Sequence, residues 1–143
     1  MIEVIGTPLD SRVKRGELPA AQRRRFAAMV ARRIDGEPVA QIRGHFEFRG
    51  LDLQVKRGVF APRASSELLA GEAVAALRRG RAPRIAVDVA TGAGPMALAM
   101  ACEVASAAVW GLDISPDAIR LCRANARRAG VGNVHFRISD MLS

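Results

Sequence analysis

The residues best able to do chemistry fall in one stretch and at two later positions. The stretch runs from Val87 to Gly94 and reads VDVATGAG; the later positions are Asp113 and Asp140. Gly92 and Gly94 let the backbone turn sharply and come close to a ligand. Asp113 lies 19 residues past Gly94, at the expected end of a second strand, where an acid can accept both hydroxyls of a ribose. Asp140 ends an expected third strand, beside the place where an adenine would lie. Each of these groups stands at the carboxyl end of an expected strand.

A glycine turn by itself is a weak signal, and Gly92 to Ala97 (GAGPMA) also fits the dinucleotide pattern, with Ala97 as its third small residue. Asp88 separates the readings. A pyrophosphate beside a carboxylate at the mouth of the loop would be repelled, whereas a ligand carrying an amino group and a sulfonium would be attracted. That ligand is S-adenosylmethionine. Two alternatives stay open at this point. One is a turn that binds nothing, with Asp88 capping nearby backbone N–H groups; the other is a nicotinamide dehydrogenase, against which Asp88 argues. His45, His135, Cys102 and Cys122 have no partners at ligand spacing, so no metal site is expected and no cysteine nucleophile is recognised. Trp110 is expected in the core, and Met96 and Met100, at i and i+4, are expected to pack.

The elements that must position these groups follow from pattern. Residues 85–89 (IAVDV) read as a short strand buried on both faces, 95–105 as an apolar helix and 107–114 as a second strand. Ser115, Pro116 and Asp117 open a helix that ends at Gly130, and 133–138 form a third strand. Strands alternating with helices predict a parallel sheet with right-handed crossovers and a ligand crevice at the strand ends. Upstream, 19–35 reads as a helix with Phe26, Met29, Val30 and Ile34 in one stripe. Residues 45–55 alternate about Arg49-Gly50 as a β-hairpin, and Ser65 or Ser66 caps a helix over about 66–79. The domain reading is 1–44 for a short helical segment and linker, 45–63 for the hairpin and loop, and 64–143 for the first half of a cofactor-binding domain.

The chain has 143 residues, half of them apolar, and no stretch long and apolar enough for a transmembrane helix. The start shows no secretion signal, and a cytoplasmic protein with no membrane contact is expected. Net charge is +8. Residues 1–84 hold 17 basic and 9 acidic side chains, and residues 85–143 hold 5 of each. Such a basic front half suits RNA, a ribosomal complex or an acidic protein; the other explanation is solvated arginine from biased composition.

More of the chain then carries a resemblance. The stretch around Gly92 resembles motif I of the class I methyltransferases. Residues 36–44 (GEPVAQIRG), 46–51 (FEFRGL) and 58–63 (GVFAPR) resemble the linker and hairpin of the HemK-type protein-glutamine N5-methyltransferases. The resemblance implies an α/β fold: a Rossmann-like class I methyltransferase half-sheet with a small N-terminal helical segment and a β-hairpin. It implies S-adenosylmethionine as cofactor. The loop Ala90, Thr91, Gly92, Ala93, Gly94, with Asp88 at its mouth, would wrap the methionine part, Asp113 with Ile114 would hold the ribose, and Asp140 with Met141 would flank the adenine. It implies methylation of a glutamine side-chain nitrogen of a peptide release factor or ribosomal protein; the charge of basic residues 12–84 separately suggests contact with RNA or the ribosome. The other functions carried are a paralogue acting on a small metabolite and a non-catalytic RNA- or ribosome-binding module that keeps a remnant cofactor fold.

The chain departs from the family at stated points. Ala90 stands where the family has Gly, which crowds the turn, and 62–67 reads PRASSE where the family reads PRPETE. The family's NPPY motif, which grips the glutamine amide, does not occur in the 143 residues, so no catalytic residue is named. Only three strands fit after residue 84. The expectation is a half-domain, either a piece of a longer chain or completed by another chain, that does not turn over alone.

Overall fold

The computed structural model describes residues 19–60, 62 and 65–141. Expectations that fall on residues 1–18, 61, 63, 64, 142 and 143 lie outside these. The described residues up to Ile42 and those from Arg43 onward form two compact units.

In the first unit, α1 (Ala20–Ile34) is preceded by Pro19 at the N-cap, one place before the first helical position expected for it. Gly36 ends the helix at φ +87°, a left-handed conformation that glycine adopts without a Cβ penalty. Arg32 then folds back on Glu37 with two bonds, Nε–Oε2 at 2.7 Å and Nη2–Oε1 at 2.6 Å. None of α1 is buried; Phe26, Val30 and Ile34 of its stripe are all exposed. The linker holds a short helix that sequence pattern did not anticipate, α2 (Val39–Arg43).

The second unit opens with β1 (His45–Phe48) and β2 (Leu51–Gln54), antiparallel with Phe46 opposite Leu53 and Phe48 opposite Leu51. Arg49 and Gly50 both take positive φ, 47° and 78°, as the tight two-residue hairpin turn requires. Then follow α3 (Ser65–Arg79), β3 (Arg84–Val89), α4 (Pro95–Glu103), β4 (Ala107–Asp113), α5 (Pro116–Ala129) and β5 (Val134–Ile138). The last three strands form a parallel sheet in the order β3-β4-β5. Strand order runs one way, so right-handed crossovers lay α4 and α5 on the same face. Pro116 starts α5 behind the cap Ser115, whose hydroxyl accepts from Ala118 N–H, and Gly130 closes it in left-handed conformation.

The core lies between that face and the helices. Phe48, Leu53, Ala70, Val74, Leu98, Met100, Val109, Ile119 and Phe136 build it. Six of the nine residues of α4 are buried, and its alanines let the helix lie close on the strands. At Gly111 the approach is tightest: a Cβ there would stand 2.6 Å from the Phe136 ring.

Two expectations are corrected. β3 is not covered on both faces. Its exposure alternates, and Ile85, Val87 and Val89 are 62%, 53% and 43% exposed. Trp110 is not core. It lies on the same open face, 39% exposed, with its ring centroid 4.7 Å from that of His135. The reason is common to both: an apolar run reports that a strand suits burial, and only the placement of other elements supplies the cover.

Candidate functional site

The glycine loop connects β3 to α4, and its conformation comes from four fixed points. Asp88 faces the core side of β3, in register with Gly111. Its Oδ2 accepts from the Thr91 hydroxyl at 2.5 Å and from the Ala97 N–H at 3.1 Å. The second bond satisfies a donor in the first turn of α4, which no other cap side chain serves. Thr91 N–H donates to Leu112 O at 2.9 Å, and Gly94 N–H returns to Thr91 O at 2.9 Å. Gly92 N–H donates to Asp113 Oδ2 at 2.8 Å. The loop is thereby pinned to the end of the neighbouring strand.

Three loop residues have positive φ: Ala90 at 57°, Gly92 at 58° and Gly94 at 85°. Space is tight at the last two as well. A Cβ on Gly92 would stand 3.1 Å from Phe60 O, and one on Gly94 would stand 3.0 Å from Cys122 Sγ. Ala90 has the crowded conformation expected of an alanine at a glycine's position.

From α5, Cys122 donates its S–H to Gly92 O at 3.1 Å. Burial, and then the charges of Asp113 and Asp88, push this thiol up to about 12, so it is a neutral donor and no nucleophile. One turn on, Asn125 donates from Nδ2 to Ala93 O at 3.0 Å. Beneath the loop, Val59, Ala93, Ala118 and Leu121 form a small apolar cluster with Phe46.

Asp113 ends β4 with both carboxylate oxygens directed by backbone: Oδ2 by Gly92 N–H and Oδ1 by Ser115 N–H at 2.9 Å. Each oxygen keeps a second lone pair, so two further hydroxyl donors can be accepted. Asp88 is held above the usual carboxylate range, chiefly by burial, against the pull of Thr91 and Ala97, with the Asp113 charge adding to the rise. Two carboxylates at adjacent strand ends make the mouth of the loop negative.

The structure therefore ties Asp88, Thr91, Gly92, Gly94 and Asp113 directly together by hydrogen bonds, with Ala90 and Ala93 in the same loop. The other three expected residues stand at neighbouring strand ends. Ile114 follows Asp113 and is 71% exposed. Ser139 N–H donates to Asp113 O at 3.1 Å, which brings the end of β5 beside that of β4. Asp140 and Met141 come directly after, both exposed. Asn125 and Cys122 are the positions that residue reading missed as loop supports. The signal for Asn125 is visible afterwards: with Ala118 and Cys122 it falls at i, i+4 and i+7 of the buried face of α5, a polar side chain in an apolar stripe. Among the described residues no cluster of His, Cys, Asp and Glu could hold a metal ion, and no helix is long and apolar enough to cross a membrane.

Comparison with known proteins gives a consistent picture. Residues 84–143 match the family described as methyltransferase domain, and residues 10–44 match the PrmC N-terminal domain. The release factor glutamine methyltransferase of Koribacter versatilis is 41% identical over 127 residues, which cover 89% of this chain and 45% of that protein. The one from Agrobacterium fabrum is 41% identical over 136 residues, covering 90% of this chain and 46% of that protein. The chain thus spans about half the length of the curated relatives it matches. In fold it is similar to Pyrococcus abyssi tRNA (uracil-54, C5)-methyltransferase, solved in complex with S-adenosyl-L-homocysteine. The TM-score is 0.56 at 17% identity, covering 67% of this chain and 23% of that one.

Proposed function

The chain belongs to the HemK-type family of protein-glutamine methyltransferases, and from that premise we propose that it carries the cofactor-binding part of a release factor glutamine methyltransferase. The fold is the class I methyltransferase half-sheet, and the cofactor is S-adenosylmethionine. Bound there, that molecule supplies a methyl group activated on a positively charged sulfur. The acceptor in this reading is a glutamine side-chain nitrogen of a release factor, after the relatives' function.

The observation that carries the reading is the pairing of Asp113 with the glycine loop. Its carboxylate holds Gly92 N–H at 2.8 Å and keeps two lone pairs for the vicinal hydroxyls of a ribose. The donor set fits the cofactor and not a dinucleotide. Asp88 presents negative charge where a pyrophosphate would need N–H donors or cations, and where an ammonium and a sulfonium gain from it; Asp113, a ribose acceptor for either ligand, does not separate them. Asp88, Ala90, Thr91, Gly92, Ala93 and Gly94 would surround the methionine part, Asp113 and Ile114 the ribose, and Asp140 and Met141 the adenine. What these residues contribute is binding, orientation and exclusion of water around the methyl donor.

Calorimetry tests this. S-adenosylmethionine and S-adenosylhomocysteine should bind and NAD should not, and Asp113→Ala should weaken binding by about 1–3 kcal/mol. Equal affinity in the variant would remove the ribose role. Transfer of a labelled methyl to a release factor glutamine, assayed beside a ribosomal protein and small metabolites, tests the acceptor. Arg23, Arg24 and Arg25 are exposed on α1, and they support a further contact with RNA or a ribosomal complex. Binding should then weaken steeply with salt, and neutralising the three should flatten that slope.

A further inference from the structure

Asn125 is fully buried in the middle of α5, where a polar side chain costs stability unless every hydrogen-bonding group is used. All of them are. Its Oδ1 accepts from Gln54 N–H at 2.9 Å, and its Nδ2 donates to Gln54 O at 3.0 Å and to Ala93 O at 3.0 Å. The amide thus pairs with Gln54 as a neighbouring strand would, and spends its remaining hydrogen on the glycine loop. Its orientation is forced, since a flipped amide would face N–H with N–H and oxygen with two carbonyls.

The hairpin that Asn125 grips is fixed at its other end too. Arg49 in the turn bonds Glu103 at the end of α4, Nε–Oε1 at 2.5 Å and Nη2–Oε2 at 2.9 Å, and its N–H donates to Glu67 Oε1 of α3 at 3.1 Å. The hairpin is therefore a body held against three helices, and Asn125 is its polar connection to the loop. One turn earlier on α5, Cys122 holds the preceding carbonyl, Gly92 O. Two consecutive loop carbonyls hang from one helix face.

We propose that Asn125 is a positioning residue of the cofactor loop: it locks the Ala93 carbonyl to the backbone of β2, so that the seating of the hairpin sets the loop's conformation. This rests on the reading of that loop as the S-adenosylmethionine site. No other side chain can do this at this distance. Aspartate has nearly the same shape but turns an oxygen toward two carbonyl oxygens, leucine leaves three backbone groups unsatisfied, and glutamine is one carbon too long.

Two measurements test the proposal. In the unaltered chain, native-state hydrogen exchange in low urea should show the Gln54, Gly92 and Gly94 amides opening as one unit, with a common urea dependence. In Asn125→Asp, the Gly92 and Gly94 amides should exchange about tenfold faster relative to the Val109 amide of the sheet. Affinity for S-adenosylhomocysteine should fall about tenfold or more, the scale of losing a buried hydrogen bond. Val74→Ala, a core truncation on α3, should lower thermal stability yet leave that affinity within about twofold, which separates positioning from general destabilisation. Independent opening of Gln54 and the loop in the unaltered chain would overturn the proposal. So would Asn125→Asp with unchanged affinity and loop exchange. If the unaltered chain bound no S-adenosylhomocysteine, the cofactor reading would fail on its own, and the exchange of the loop amides would still decide the role of Asn125.

Discussion

The two faces of the three-stranded sheet are built from the same strands and have opposite fates. On one side Val109 and Phe136 are buried under α4 and α5, and Gly111 admits the Phe136 ring. On the other side Ile85, Val87, Val89 and Trp110 stand half exposed beside His135 and Arg137. Apolarity does not distinguish the faces; the handedness of the two crossovers does, because it sends both helices to one side. The hydrogen-bonded part of the candidate site sits with the covered side. Asp88 points into it, and the supports of the glycine loop come from α5 beneath. A carboxylate is held to a fixed geometry by backbone donors only where the surrounding chain is itself immobile, and the covered face provides that.

The sharpest test of this contrast is a methyl group on the covered face. Gly111→Ala should cost about 3 kcal/mol, because the new carbon would stand 2.6 Å from the Phe136 ring and 3.2 Å from the Thr91 hydroxyl, so the ring must shift. Urea unfolding measures it, and a loss below about 1 kcal/mol would mean that the Phe136 seat is loose.

Next in size is the pH dependence of ligand binding. Burial raises Asp88, so in the free protein it takes up a proton more readily than an ordinary aspartate. A sulfonium favours the ionised form, so its binding releases that proton. Affinity for S-adenosylmethionine should therefore fall as pH drops through the raised Asp88 range, by up to about tenfold per pH unit. Asp88→Asn should flatten the profile in calorimetry, and Arg137→Gln, on the open face, should leave it unchanged. For stability the sign is the reverse. A raised carboxyl contributes stability that is fully present below the unfolded pKa and is lost as pH rises through the folded one.

Smaller again is the junction where β3 leaves the sheet. Ala90→Gly should stabilise the fold by about 1 kcal/mol by relieving a left-handed alanine, seen as a higher urea midpoint at unchanged slope. The smallest effect belongs to the open face: Val87→Thr, isosteric and half exposed, should change stability by no more than about 0.5 kcal/mol. A cost like that of a core truncation would show the open face to be covered in solution.

Much of this was legible in the residues. Ser115-Pro116 and Gly130 bound α5 where the capping pattern places them, Arg49-Gly50 makes the hairpin turn, and β3, β4 and β5 begin and end within a residue or two of the expected positions. Local backbone preference and hydrophobic period determine such features, and both are properties of short segments. The roles of Gly92 and Gly94 and the nearness of Asp113 to the loop follow from the same logic, since parallel strands joined by crossovers must bring their carboxyl ends together.

The tertiary structure decided what no short segment contains. Whether Trp110 and the β3 valines are covered depends on where distant elements lie, not on how apolar the strand is. That Asp88 both caps α4 and faces the loop depends on α4 starting above β3. Asn125 reads in sequence as one polar residue on an amphipathic helix. Its function appears only when Gln54, 71 positions away, and Ala93, 32 away, arrive at its amide. The sequence by itself determined the strands, the turns and the residue types that could bind the cofactor. Which lone pair meets which hydrogen was settled by the packing of elements far apart in the chain, because hydrogen bonds need placement to a few tenths of an ångström and only a packed core supplies it.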